Sequence, residues 1–196
     1  MDYKGKKLKL SFNSPVILGF VIICFIVLVL DKLTAGLLTR IFFSVYRSSL
    51  LDPLTYFRLF GHVIGHANRS HFFNNMLMLL IIGPLLEEKY GSKNILMLIL
   101  ITAFVTGIIN FIFFPNVQLL GASGVVFAFI LLSSMTSIKE GEIPLTFLLV
   151  AVIYFLQEMY GAIFVRDNVS NLGHIIGGIV GSVLGYLMNK NKINRY

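Results

Sequence analysis

The segment Leu120-Gly121-Ala122-Ser123-Gly124-Val125 sets a hydroxyl among residues almost without side chains, at the head of an apolar run. Its small neighbours let another helix or a peptide backbone come close to that oxygen. Such a serine is either packing material or a nucleophile, and a nucleophile needs a base and a site for the developing oxyanion. Imidazole and amide groups are available for both. The histidines are His62, His66, His71 and His174, and Asn75 follows His71 by one helical turn. His174, Gly177, Gly181 and Gly185 recur at i, i+3, i+7 and i+11, a glycine face on one helix, and Gly121, Gly124 and Ala128 give the serine segment a matching stripe. If the two faces meet, Ser123 and His174 come within hydrogen-bond reach as nucleophile and general base. His71 and Asn75 can then aim side-chain donors at the oxyanion, with the Ser123 backbone N–H as another, each worth roughly 2.7–4 kcal/mol of transition-state stabilisation. Each feature alone has a plainer reading. Gly-Ala-Ser-Gly is a common packing surface, a histidine above a glycine face often only bridges two helices, and His71 with Asn75 can simply anchor a helix end.

The elements that must hold these groups are built for lipid. The chain has 196 residues, 57% hydrophobic and only 13% charged, with a mean hydropathy of +0.85, beyond the apolar content of a soluble domain. The net charge of +7 does not mark a nucleic-acid binder, because the basic residues cluster beside apolar runs at the two ends and are not interleaved with aromatics. The lone Cys24 lies inside an apolar run, so no intrachain disulfide is possible.

Six spans are expected, at about 10–30, 70–86, 94–114, 119–138, 143–161 and 171–188, in an all-α membrane bundle forming a single domain over 1–196. The run after the basic head Lys4, Lys6, Lys7 and Lys9 is long for a signal peptide and lacks a small-x-small cleavage site, so it reads as the first span. Residues 31–69, with scattered charges and aromatics, suit a structured loop in the membrane interface. Glu87-Glu88-Lys89 and Gly91 close the second span, and Phe114-Pro115-Asn116 divides the next uncharged stretch into two. An even number of spans puts both termini on one side. Assigning it to the cytoplasm places ten of the sixteen Lys and Arg inside, at positions 4, 6, 7, 9, 89, 93, 139, 190, 192 and 195. Even-numbered spans then begin at the outer face, which brings His71, Asn75, Ser123 and His174 to one depth, each within roughly 10 Å of its helix start at 1.5 Å of rise per residue. Polar groups at that depth face a cavity or one another.

These residues also carry a resemblance. His66-Ala67-Asn68-Arg69-Ser70-His71-Phe72-Phe73-Asn74-Asn75 resembles the HxxxxHxxxN signature of the rhomboid intramembrane serine proteases, Gly121-Ala122-Ser123-Gly124 their GxSG nucleophile motif, and His174 through Gly181 their HxxGxxxG. Order and spacing agree over nearly the whole chain. The resemblance implies a six-transmembrane-helix rhomboid-like bundle and peptide-bond hydrolysis in membrane-protein substrates of one or several spans, within the lipid bilayer. The means would be a Ser-His dyad, with no cofactor and no metal. It assigns Ser123 as nucleophile and His174 as base. His71, Asn75 and the Ser123 amide form the oxyanion site, His66, Gly121 and Gly124 support it, and Glu87 is a structural acid at the inner end of the second span. It also implies a cell-membrane protein with cytoplasmic termini and a water-filled site opening outward, beside a fifth span past which substrate enters. Two positions depart from the pattern. The family's Trp-Arg pair is Phe57-Arg58, and the aromatic that stacks on the catalytic histidine, commonly Tyr, is Phe127, which keeps the stacking surface and loses only a hydroxyl.

Three rivals are weaker. His62-Val63-Ile64-Gly65-His66 places two imidazoles at i and i+4, but Val63 stands where a zinc protease needs glutamate. A catalytically silent rhomboid-like protein that binds membrane clients would usually lack the serine or the histidine. A transporter would show mid-depth charges or internal repeats, and only Glu158 comes near that.

Overall fold

The computed structural model describes residues 11–135, 143–164 and 171–193. Among them are eight helices and no β-strand beyond a single bridge. The helices are α1 (Pro15–Leu33), α2 (Leu37–Phe42), α3 (Pro53–Gly61), α4 (Arg69–Tyr90), α5 (Ser92–Phe113), α6 (Ser123–Ser134), α7 (Leu145–Phe164) and α8 (Asn171–Ile193). Two of them, α1 and α5, are both long and apolar enough to cross a membrane, while the apolar stretches of α6 and α8 are shorter.

Local chemistry accounts for the starts of α3 and α4. Pro53 opens α3 behind Asp52, whose carboxylate accepts from Leu54 N at 3.0 Å, and the Asn68 side chain caps α4 by accepting from His71 N at 2.9 Å. The start of α1 is set from far along the chain. Glu87, buried near the end of α4, accepts from Val16 N and Ile17 N, both at 3.0 Å, and from Ser92 Oγ at 2.7 Å. A carboxylate at the orphan amides and positive end of a helix is favourable on both counts.

These bonds define two ends of the bundle. One holds the start of α1, the end of α4 and the start of α5. The ends of α6 and α8 join it: Tyr90 Oη donates to Asn189 Oδ1 at 3.1 Å, and Asn189 Nδ2 donates to Met135 O at 2.9 Å. The opposite end holds the starts of α4, α6 and α8 with the loop containing α2 and α3. Hence α6 and α8 run parallel, and they form the most extensive helix pair among the described residues.

On α5, Ile95, Leu98, Ile99, Thr102, Ala103, Thr106, Gly107 and Asn110 are buried, a helical stripe facing the bundle. Leu96, Met97, Leu100 and Phe104 on its other side are exposed, as are Ile22, Phe25, Ile26 and Val29 on α1. Apolar girdles of this extent are not stable against water and fit a lipid surround.

Several boundaries differ from the sequence expectation. The first helix starts at Pro15 and not near 10, because proline and the Glu87 carboxylate fix its first turn. The second runs past 86 to Tyr90, since Glu87 is bonded inside the bundle and the stop is Gly91 at φ +84°. The fourth begins at Ser123 and not at 119, because residues 119–121 are held in an extended path described below. The last runs on to Ile193 and does not stop at 188. The basic cluster 4–9 lies outside the described residues.

Candidate active site

The approach to Ser123 is clamped from three directions. Val45 and Leu119 exchange backbone hydrogen bonds at 2.8 and 2.9 Å, Gln118 Nε2 donates to Ser44 Oγ at 2.6 Å, and Asn110 Nδ2 donates to Val117 O at 3.0 Å. Gly121 N then donates to His62 O at 2.9 Å. His62 is itself fixed, with Nε2 3.0 Å from Ala103 O on α5. A short extended segment thus delivers the chain to α6 with Ser123 as its first residue, where backbone N–H groups have no partner within the helix.

His71 lies over that segment. Gly121 has φ +112°, and a Cβ there would meet the His71 ring, at 2.7 Å from Nε2. Glycine is required at this position both for its backbone conformation and for the imidazole to come this close. One turn along α4, Asn75 is buried, and its Nδ2 has no hydrogen-bond partner among the described residues. An amide donor left unspent in a buried position suits a group that is needed only when negative charge appears.

His174 is brought in by α8. A Cβ at Gly177 would collide with Gly124 O and lie 2.7 Å from Gly124 C, and one at Gly181 would collide with Ala128 O. Gly124 faces Gly173 O, at 3.3 Å from where its own Cβ would be. The two backbones therefore touch, as the sequence stripes suggested. The His174 ring stacks on Phe127, centroids 4.7 Å apart and tilted by 43°, and Phe127 is one turn along α6 from Ser123. Backbone packing and the Phe127 stack hold His174 at the Ser123 end of α6.

His66 supports His71 edge-on, centroids 5.2 Å apart, and packs on Phe72 at 5.4 Å. Its Nδ1 is 3.0 Å from Ile64 O, and since a carbonyl only accepts, that nitrogen carries the proton. Burial, with the neighbouring His71 adding to it, pushes the His66 imidazole down to about 4 against the opposing bond to Ile64 O. Burial likewise pushes His62 down to about 4. The two rings address different carbonyls.

Arg58 ties the first loop together. It is buried, donates to Ile41 O at 2.7 Å and to Ser48 Oγ at 3.3 Å, pairs with Asp52 at 3.2 Å, and lies 4.6 Å above the Tyr46 ring. Phe57 beside it meets Phe43 edge-on at 5.8 Å. Sequence reading missed the anchoring roles of His62 O, Gln118 and Asn110. An amide inside the apolar run 94–114 was a visible signal for Asn110, whereas a backbone carbonyl leaves none.

A helical bundle with lipid-type outer faces, carrying a serine, histidines and an amide at one end of a glycine-packed helix pair, is the class defined by this architecture. The rhomboid domain family model matches residues 53–191, and the chain belongs to the rhomboid family, which is membrane-embedded. It is similar to Rhomboid protease GlpG of Haemophilus influenzae, 28% identical over 145 residues that cover 70% of this chain and 72% of the relative. It is also similar to Rhomboid protease GluP of Bacillus subtilis, 27% identical over 143 residues, 73% of this chain and 28% of the relative. Rhomboid-related protein 1 of Caenorhabditis elegans is 28% identical over 145 residues, 69% of this chain and 41% of the relative. The matches thus cover less than half of the last two relatives.

Proposed function

We propose that this protein is an intramembrane serine endopeptidase that cuts membrane-protein substrates in or beside their spanning segments. In this reading α1, α4, α5, α6, α7 and α8 are six spans of one domain over 1–196, both termini are cytoplasmic, and the Ser123 end opens to the outer side. A substrate segment arrives laterally past α7 and unwinds locally, since a helical carbonyl is hidden from attack.

Ser123 Oγ adds to the substrate carbonyl while His174 takes its proton. His71, Asn75 Nδ2 and the Ser123 N–H receive the oxyanion. Collapse of the tetrahedral adduct breaks the C–N bond, and the proton on His174 passes to the leaving amine. Water then adds to the acyl-serine, giving its proton to His174, and the second collapse frees the acid and restores the hydroxyl. No metal or cofactor enters these steps.

The observation that carries the reading is the contact of Gly177 with the Gly124 carbonyl, together with the Phe127–His174 stack. It supports a Ser123–His174 pair at the end of the bundle where His71 crosses Gly121. The test is labelling of the detergent-solubilised protein by a fluorophosphonate, beside Ser123→Ala and His174→Ala. Labelling of the wild type alone is expected. Equal labelling of all three would sink the protease and leave the client-binding reading.

A further inference from the structure

The loop 31–69 is rich in uncompensated cations. It holds Lys32, Arg40, Arg47, Arg58 and Arg69 against Asp31 and Asp52. Both acids are engaged: Asp31 Oδ1 accepts from Thr39 N at 2.7 Å, and Asp52 caps α3 and forms with Arg58 the only ion pair of this loop among the described residues. Arg47 lies on the carbonyls of Phe111 and Ile112, with Nη2 2.7 Å from the latter, so its charge faces dipoles and no carboxylate.

Arg40 instead forms one side of a groove of about 270 Å³, completed by Tyr46, Pro115, Asn116, Val117 and Gln118. The walls are held firmly. Tyr46 sits under the Arg58 guanidinium, Gln118 is bonded to Ser44, and the Val45–Leu119 bridge ties the two sides together. Among the described residues neither the Arg40 guanidinium nor the Asn116 amide makes a hydrogen bond. Exposed apolar side chains, Leu37 and Ile41 of α2 and Ile112 and Phe113 of α5, belong to the elements bordering the groove.

We propose that this groove binds the phosphodiester of an anionic phospholipid, with Arg40 as its charged partner and Asn116 and Tyr46 as further donors. A planar guanidinium presents a fork that matches two phosphate oxygens. The apolar residues alongside favour an anion with acyl chains over a free one, and a choline headgroup would set a second cation in a region already rich in them. The site lies at the loop end of the bundle, which is headgroup level for a membrane-embedded chain. It depends on neither Ser123 nor His174.

The test is native mass spectrometry of the full chain in detergent, titrated with phosphatidylglycerol or with phosphatidylcholine of the same chain length. The wild type should retain phosphatidylglycerol roughly tenfold more tightly, the scale of one charge-assisted bidentate contact. Arg40→Gln should abolish that preference, Arg40→Lys should keep part of it, and Asn116→Ala, on the opposite wall, should weaken it. Lys32→Gln removes the same charge outside the groove and should leave it intact. Equal binding of the two lipids, or an equal loss in Lys32→Gln, overturns the proposal in favour of diffuse attraction. Displacement of phosphatidylglycerol by inorganic phosphate overturns it in favour of a free-anion site.

Discussion

Replacing Gly177 by alanine adds one methyl group to the face of α8 that rests on α6. That methyl would overlap Gly124 O and lie 2.7 Å from Gly124 C and 2.8 Å from Gly124 Cα. Carbon atoms rest at about 3.5–4.0 Å, so the helices must part by roughly 1 Å, and the obstacle is backbone, which cannot rotate aside. Alanine gains about 1 kcal/mol over glycine in helix propensity, while overpacking costs about 1–3 kcal/mol; the net change in stability is a small loss. The effect on the proposed chemistry is larger. A shift of about 1 Å between nucleophile and base costs on the order of a hundredfold in rate. The assay is the rate of fluorophosphonate labelling, with thermal unfolding in detergent measured on the same samples. Gly185→Ala is the graded comparison, since its methyl meets the mobile ends of Leu132 and Met135 at 3.0 and 3.3 Å, and Gly19→Ala, with nothing within 4 Å, is the blank. A Gly177→Ala protein that labels as fast as Gly19→Ala would show that the α6–α8 contact does not set the serine and histidine, and the reasoning would fall.

Three other expectations follow from the geometry. Glu87→Ala leaves the amides of Val16 and Ile17 without their acceptor and should cost roughly 2–3 kcal/mol, read as a lower unfolding midpoint in detergent; Glu87→Gln, which keeps one acceptor oxygen, should cost less. Gly121→Ala combines a strained backbone at φ +112° with a methyl driven into the His71 ring, and should abolish labelling while Gly91→Ala, strained but in open space, preserves it. His62 and His66 fall from the usual 6.5 to about 4 on folding, so between these values the unfolded chain binds protons that the folded one does not. Stability is complete above about pH 6.5 and declines as pH falls toward 4, by about 3 kcal/mol for each imidazole. Circular dichroism melts across that range check the sign, and a midpoint that rises on acidification would contradict it.

Much of this protein was legible in its residue order. Composition and polar breaks marked the stretches that fold as α1, α4, α5, α6, α7 and α8, of which α1 and α5 are long and apolar enough to cross a membrane. The glycine face His174–Gly185 and the stripe around Ser123 could be paired on paper, since a row of residues lacking side chains invites a neighbouring backbone. What the sequence could not decide was which backbone groups and distant side chains fix the helix starts and the path into Ser123. The start of α1 is fixed by a carboxylate 70 residues away, and the path into Ser123 by His62 O, Val45 and Asn110, contacts whose closing depends on the loop packing against α5. The same holds for His71 over Gly121, where a positive φ and an imidazole must coincide. Local patterning sets which stretches become helices, because those hydrogen bonds are made within each stretch, and span order alone brings a hydroxyl, two imidazoles and an amide to one depth; the contacts that fix them there, His71 over Gly121 and Gly177 on Gly124, are properties of the assembled helices.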